Sequence, residues 1–159
     1  MLIITGLAGA GKTIALDTLE DLGYYCIDNL PSALLDSLVR DFASEQAQPV
    51  AVAMDSRNAA DLAALPEKIR ALRQYADIQI LFLTADTDVL VRRYSETRRP
   101  HPLHIRAESA RALPEAIEYE RHLLNPLMNL ADIILDTSSY SVYQLKDRLR
   151  TVLGDTAPA

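Results

Sequence analysis

Five short apolar runs, 2–5, 24–28, 50–55, 78–84 and 132–136, alternate along the chain with longer stretches whose apolar residues recur every three to four positions. The runs are apolar on both alternating faces, the pattern of parallel strands covered by helices. Helical periodicity occupies about 12–23, 31–46, 59–74, 86–95, 108–130 and 141–153. Gly23 is a natural C-cap for the first helix, and Asp86 and Ser141 are N-caps for later ones. Pro126 should start, bend or break a helix within 108–130, which leaves room for two pieces there. No internal repeat or low-complexity segment interrupts the alternation. It predicts a three-layer α/β/α domain with a five-stranded, mainly parallel sheet and right-handed crossovers.

Ligands of such sheets bind beyond the carboxyl ends of the strands, so the strand ends carry the chemistry. The first run leads into Gly6-Leu7-Ala8-Gly9-Ala10-Gly11-Lys12-Thr13, which matches the phosphate-binding pattern G-x-x-x-x-G-K-[ST] at every defined position. Such a loop turns tightly and points its N–H groups inward at phosphate oxygens, and a Cβ at Gly6 or Gly11 would obstruct that path. Lys12 would reach the β- and γ-phosphates, and the Thr13 hydroxyl would ligate Mg²⁺. A glycine-rich turn can match the pattern by chance. Here a strand precedes it, and a helix with Ala15, Leu16, Leu19 and Leu22 on one face follows, so phosphates would meet a helix N-terminus. The fold expectation is therefore a kinase-like P-loop NTPase.

Two acids stand at other strand ends. Asp55 follows Val50-Ala-Val-Ala-Met54 and could hold Mg²⁺ beside Thr13; the plainer alternative is a cap on the next helix. Asp28, in Asp28-Asn-Leu-Pro31, could orient an acceptor hydroxyl or simply begin a helix. The fourth and fifth runs end at Thr84–Asp86 and Asp136-Thr137, so polar groups recur along one edge.

Charge changes the picture locally. The net charge of −6 weighs against a whole-surface nucleic-acid binder. Arg92, Arg93, Arg98, Arg99 and Arg106 nevertheless cluster, with Glu96 the one acid among them, and Pro100 and Pro102 end the helical pattern. Three readings stand open: a lid whose arginines, Arg93 and Arg98 foremost, neutralise a transferred phosphoryl group; a basic patch for RNA or another anion; and a solvated helix face. His101 and His104 lack a third ligand nearby and read as loop histidines. Cys26, the single cysteine, lies in an apolar segment and reads as a buried, inert thiol. With no run of membrane-span length and no leader-like segment, these features read as a cytoplasmic globular domain.

Three stretches together are more specific than the loop alone: Gly6 to Thr13, Leu19-Glu-Asp-Leu-Gly-Tyr-Tyr-Cys-Ile-Asp-Asn-Leu-Pro31, and Arg92-Arg-Tyr-Ser-Glu-Thr-Arg-Arg-Pro-His-Pro-Leu103. They resemble the RapZ/YvcJ nucleotide-binding family of bacteria, and the likeness extends to about Leu153 through Leu81-Phe-Leu83 and Asp132-Ile-Ile-Leu-Asp-Thr-Ser138. The resemblance implies binding of ATP and GTP with slow hydrolysis, the ATP phosphates on Gly6 to Thr13 and a guanine-nucleotide motif at Asp55-Ser56-Arg57-Asn58. It also implies a regulatory role, in which small regulatory RNA is presented to an endoribonuclease that controls amino-sugar synthesis. Members of that family are about twice as long, so residues 1–153 are expected to form the P-loop domain and 154–159 a tail toward a second, RNA-binding domain. A homo-oligomer is left open. The rival functions are a small-molecule kinase acting on a nucleoside-monophosphate-like acceptor and a partner-binding module that has lost nucleotide affinity.

Overall fold

The computed structural model describes residues 1–43, 48–54, 59–97 and 112–154. Strands β1 (Leu2–Gly6), β2 (Tyr25–Leu30), β3 (Val50–Met54), β4 (Gln79–Thr84) and β5 (Ile133–Asp136) form one sheet in the order β2-β3-β1-β4-β5. Every pairing is parallel. Helices α1 (Lys12–Asp21), α3 (Ala59–Leu72), α4 (Thr87–Thr97), α5 (Ala112–Leu130) and α6 (Val142–Gly154) connect and flank the strands, with the short turn α2 (Leu35–Ser37) between β2 and β3.

The strand order explains the layers. From β1 the chain passes over β3 to the edge at β2, and every later strand lies in the opposite direction. Right-handed crossovers therefore put α1 on one face and α3, α4 and α5 on the other. The contacts agree: α1 packs on α6, while α5 packs on both α3 and α4. The crossover direction reverses between β1 and β3, which opens a crevice at their carboxyl ends. The glycine-rich loop lies there.

Burial follows position in the sheet. All five residues of β1 and of β3 are buried, as is the middle of β4. The expectation of strands covered on both faces fails at the edges, where Tyr25, Asp28 and Asn29 of β2 and Ile134 and Asp136 of β5 are exposed. An edge strand lies at the margin of both helical layers, so part of it meets solvent. Cys26 is likewise half-buried rather than buried. Its thiol, pushed up to about 11 by desolvation and then by Glu20 and Asp17, donates to the Leu16 carbonyl at 3.4 Å.

Two helical expectations change in detail. Residues 32–43 form a 3-10 turn (Ser32–Leu34), the α2 turn and a π-helical stretch (Leu38–Ala43) instead of one α-helix. The buried Leu35, Leu38 and Val39 carry the helical spacing, but spacing over twelve residues does not select the hydrogen-bond offset. Helix α5 runs unbroken through Pro126. The proline lacks one intrahelical donor, and the burial of Leu124 and Leu127 on either side holds the turn in place.

The helix ends follow local chemistry. The Tyr24 N–H reaches the Leu19 carbonyl and the Gly23 N–H the Glu20 carbonyl, both at 3.0 Å, the paired bonds of a Schellman C-cap. Asp86 immediately precedes α4, and its carbonyl accepts the Leu90 N–H at 3.0 Å. At α6 the Gln144 N–H donates to Ser141 Oγ at 3.2 Å, and the Ser141 N–H donates to Gln144 Oε1 at 2.9 Å, a complete capping box. Ser141→Ala is expected to lower stability by about 1 kcal/mol, measured by urea denaturation. Among the described residues no helix is long and apolar enough to cross a membrane.

Candidate functional site

The loop between β1 and α1 is set by close packing. Gly6 has φ +140°, and a Cβ there would lie 2.1 Å from the Leu83 carbonyl oxygen of β4. Gly11 has φ +115°, and its Cβ would lie 2.7 Å from Leu145 Cδ2 of α6. The β4 backbone therefore requires glycine at position 6, and the left-handed φ favours it at position 11, where the Leu145 side chain could swing aside, before any ligand enters. The path that the pattern prescribes is the path the sheet and α6 allow.

The loop sorts its N–H groups into two sets. Leu7 N–H donates to Leu83 O at 3.0 Å, Ala10 N–H to Leu7 O at 3.0 Å, and Ala8 N–H to a carboxylate oxygen of Glu120 at 2.9 Å. Among the described residues, the N–H groups of Gly9, Gly11 and Thr13 have no protein acceptor. Helix α1 starts at Gly11 with no side-chain cap and no acid in its first turn, so its positive end is not neutralised locally. Lys12 lies over the loop with Nζ 3.0 Å from the Gly6 carbonyl. This is a cradle of unshared N–H donors, a helix N-terminus and an ammonium, which is the donor set that an oligophosphate needs.

Side chains from three other elements hold the crest of the loop. Arg93 of α4 donates to Gly9 O at 2.9 Å and to Thr137 Oγ1 and O at 3.1 and 2.6 Å. Thr137, fully buried after β5, donates its hydroxyl to Ala10 O at 2.8 Å. Glu120 of α5 takes Ala8 N–H and is 0% exposed, the only buried carboxylate among the described residues. Tyr94 packs its ring against Gly9, and burial, followed by the negative charge of Glu120, raises its hydroxyl well above the usual phenol range. Arg121 of α5 reaches Ala85 O at 2.9 Å and the hydroxyls of Thr84 at the end of β4 and Thr87 at the start of α4. Beside it, the Ser138 hydroxyl and N–H hold the Asp136 carboxyl below the ordinary range, and Arg121 and Arg93 add to the effect.

The structure thus brings together Gly6 to Thr13 and Arg93, with Arg93 engaged on the loop backbone within α4 instead of standing out on a lid. Asp28 is exposed near the end of β2, next to Asn29 in the left-handed region (φ 55°), where the pairing to β3 shifts register. Asp55 to Asn58 directly follow β3, the neighbour of β1, and lie outside the described residues, as do Arg98, Arg99, His101, His104 and Arg106. Glu120 and the role of Thr137 escaped the sequence reading. A signal for Glu120 exists: it interrupts the buried stripe of Ala116, Ile117, Leu124 and Leu127 at helical spacing.

Comparison with known proteins gives the same architecture. A shikimate kinase from Bacteroides thetaiotaomicron superposes with TM-score 0.65 at 15% identity, covering 98% of this chain and 97% of the other. A thymidylate kinase from Candida albicans does so with TM-score 0.56 at 14% identity, covering 98% and 91%. These likenesses establish a three-layer, kinase-like P-loop fold. In sequence, the chain is 57% identical over 158 residues to a nucleotide-binding protein of Dichelobacter nodosus, covering 99% of this chain and 56% of that protein. It is 42% identical over 159 residues to a nucleotide-binding protein of Methylococcus capsulatus, covering 97% and 53%. The chain therefore spans about half the length of these curated relatives. The family described as RapZ-like N-terminal domain matches residues 1–157, and the chain belongs to that family.

Proposed function

We propose that this domain binds ATP or GTP with Mg²⁺, hydrolyses it slowly, and serves as the regulatory part of a RapZ-like RNase adapter. The observation that carries the reading is the set of Gly9, Gly11 and Thr13 N–H groups without an acceptor among the described residues, beside Lys12 at the head of an uncapped helix. The names of the relatives, nucleotide-binding proteins, support it. Phosphates would lie on Gly6 to Thr13. Mg²⁺ would be held by Thr13 and Asp55, and it would neutralise phosphate charge when bound. Thr13 is exposed in the first turn of α1, beside the crevice between β1 and β3, and Asp55 is the next residue in sequence after β3. Asp55, Ser56, Arg57 and Asn58 supply a guanine-nucleotide contact in this reading, and Lys12, Arg98 and Arg93 offset charge. Residues 1–153 are the nucleotide unit. RNA and endoribonuclease binding are assigned to the part of the relatives' length that this chain does not span.

Calorimetric titration with ATP and GTP, with and without Mg²⁺, tests the reading. Micromolar-to-millimolar affinity that depends on Mg²⁺ is the expected result. No binding of either at millimolar concentration would leave the partner-binding alternative. Asp55→Asn is expected to lower Mg²⁺-dependent turnover about 10²-fold, the several kcal/mol that a metal supplies, with a smaller change in bare nucleotide affinity. If turnover and affinity both stay intact, the metal acid lies elsewhere, and Asp28 is next.

One observation favours a second reading, a small-molecule kinase: the Asp28 carboxylate is exposed at a strand end on the same edge of the sheet as the loop. Screening nucleoside monophosphates and sugars as acceptors separates the two. Stoichiometric ADP formation coupled to a phosphorylated product would replace the regulatory reading.

A further inference from the structure

A carboxylate fully removed from solvent inside an apolar helix stripe is costly unless it accepts good hydrogen bonds. Glu120 occupies such a place between Ile117 and Leu124, where a leucine would complete the stripe of α5. Its carboxylate instead accepts the Ala8 N–H across 112 positions of sequence. The loop offers that N–H no backbone acceptor: its neighbours Leu7 and Ala10 find carbonyls, and Ala8 lies between them. Gly9 O and Ala10 O, the next two carbonyls, are taken by Arg93 and Thr137. Three successive residues of the loop are thus fixed by three side chains, from α5, α4 and the end of β5.

We propose that Glu120 is a positioning residue for the phosphate loop: by accepting the Ala8 N–H it fixes the Leu7–Ala8 peptide and so holds the Ala8 Cα from which the next peptide presents the Gly9 N–H to phosphate. This rests on the nucleotide reading above for its purpose but not for its geometry. A peptide plane carries the carbonyl of one residue and the N–H of the next. With Ala8 N–H drawn toward α5 and Gly9 O drawn toward Arg93, the Leu7–Ala8 and Gly9–Ala10 planes are set, so the Cα atoms of Ala8 and Gly9 are held and the freedom left to the peptide between them is rotation about the line that joins them. Tyr94, packed on Gly9 and kept neutral by burial and by the Glu120 charge, closes the same side. A buried carboxylate is otherwise an unwelcome neighbour for anionic phosphates. Its presence is accounted for by geometry, because it is the acceptor that the loop lacks.

Three variants separate positioning from mere support. Glu120→Gln keeps an acceptor oxygen, Glu120→Leu completes the apolar stripe, and Glu120→Asp shortens the reach. Amide hydrogen exchange at Ala8, followed by NMR in the nucleotide-free chain, is read first and needs no ligand. Slow exchange in the wild type, largely kept in Gln and accelerated at least about tenfold in Leu and Asp, is the expected result, as a net loss of about 1.5 kcal/mol implies. Affinity for Mg²⁺-ATP and Mg²⁺-GTP is read second. It should weaken about tenfold or more in Leu, with a melting temperature equal to or above that of the wild type, and recover in Gln. Exchange of Ala8 in the wild type at the rate of an unprotected amide overturns the proposal, whether or not nucleotide binds. So does a Leu variant that binds nucleotide as the wild type does, or affinity that falls only in step with melting temperature. If the Leu variant does not fold, the Gln and Asp pair decides by the same two readouts. A wild type with a protected Ala8 that binds no nucleotide leaves the Glu120 geometry standing and removes the nucleotide reading instead.

Discussion

Lys12→Ala should weaken binding of nucleoside triphosphate by roughly 10–150-fold, the loss of about 1.5–3 kcal/mol expected for a charge-assisted hydrogen bond to phosphate. The ammonium is already beside the loop, 3.0 Å from the Gly6 carbonyl, so a ligand gains it with little rearrangement. Its neighbours supply N–H donors, which bind phosphate oxygens without adding formal charge. Lys12 is the cation within the loop itself, and no backbone group can replace it. The effect should grow with phosphate number: large for triphosphate, smaller for diphosphate and negligible for the nucleoside. Stability should change little, by about 1 kcal/mol, the net worth of a part-buried hydrogen bond such as the one to the Gly6 carbonyl. Lys12→Arg should not restore affinity, because the planar guanidinium does not occupy the space of a compact ammonium. Calorimetry on the three ligands checks this. Equal triphosphate affinity for Lys12→Ala and the wild type would sink the assignment of the loop.

The fold was legible because its signals are local and repetitive. β1 and β3 read as buried strands from unbroken apolar runs, and burial of every residue in them is what such runs require. The caps at Gly23 and Ser141 were legible because each needs a particular residue at a fixed offset. The loop was legible for the same reason. What escaped depends on residues far apart in sequence. Nothing near Glu120 announces that its acceptor function is directed at Ala8, and a Glu on an apolar stripe is visible only once the stripe is known to be buried. Arg93 was noticed as part of a basic run, yet its role depends on Gly9 and Thr137, which the sheet order brings to it. The exposure of β2 and β5 depends on strand order as well. Alternation along the chain does not state which strands end at an edge.

Gly6→Ala should be the most destabilising single change at the site, about 3–5 kcal/mol against a total of roughly 5–15 kcal/mol. Two costs add. The added Cβ would stand 2.1, 2.7 and 2.9 Å from the oxygen, nitrogen and carbon of the Leu83 backbone, so strand β4 must move as a unit. The residue must also hold φ +140°, which carries a strain of about 1–3 kcal/mol for an L side chain. The displaced Leu83 carbonyl is the acceptor for Leu7 N–H, and Gly6 pairs with Leu83 in the central β1–β4 ladder, so the shift spreads into the core. Gly9→Ala provides the contrast. Its Cβ would meet Tyr94 at 3.3 Å, a side chain on the outer side of the loop that can give by a few tenths of an ångström. The backbone strain remains at φ +85°, but no strand is pushed, so about 1–2 kcal/mol is expected. Thermal and urea denaturation of the two variants should therefore separate them by about 1–4 kcal/mol, at roughly 2–4 °C in melting temperature per kcal/mol for a chain of this length. Equal losses at the two positions would mean that backbone strain alone governs the loop. A Gly6→Ala variant within 1 kcal/mol of the wild type would mean that β4 does not approach β1 as closely as the structure has it.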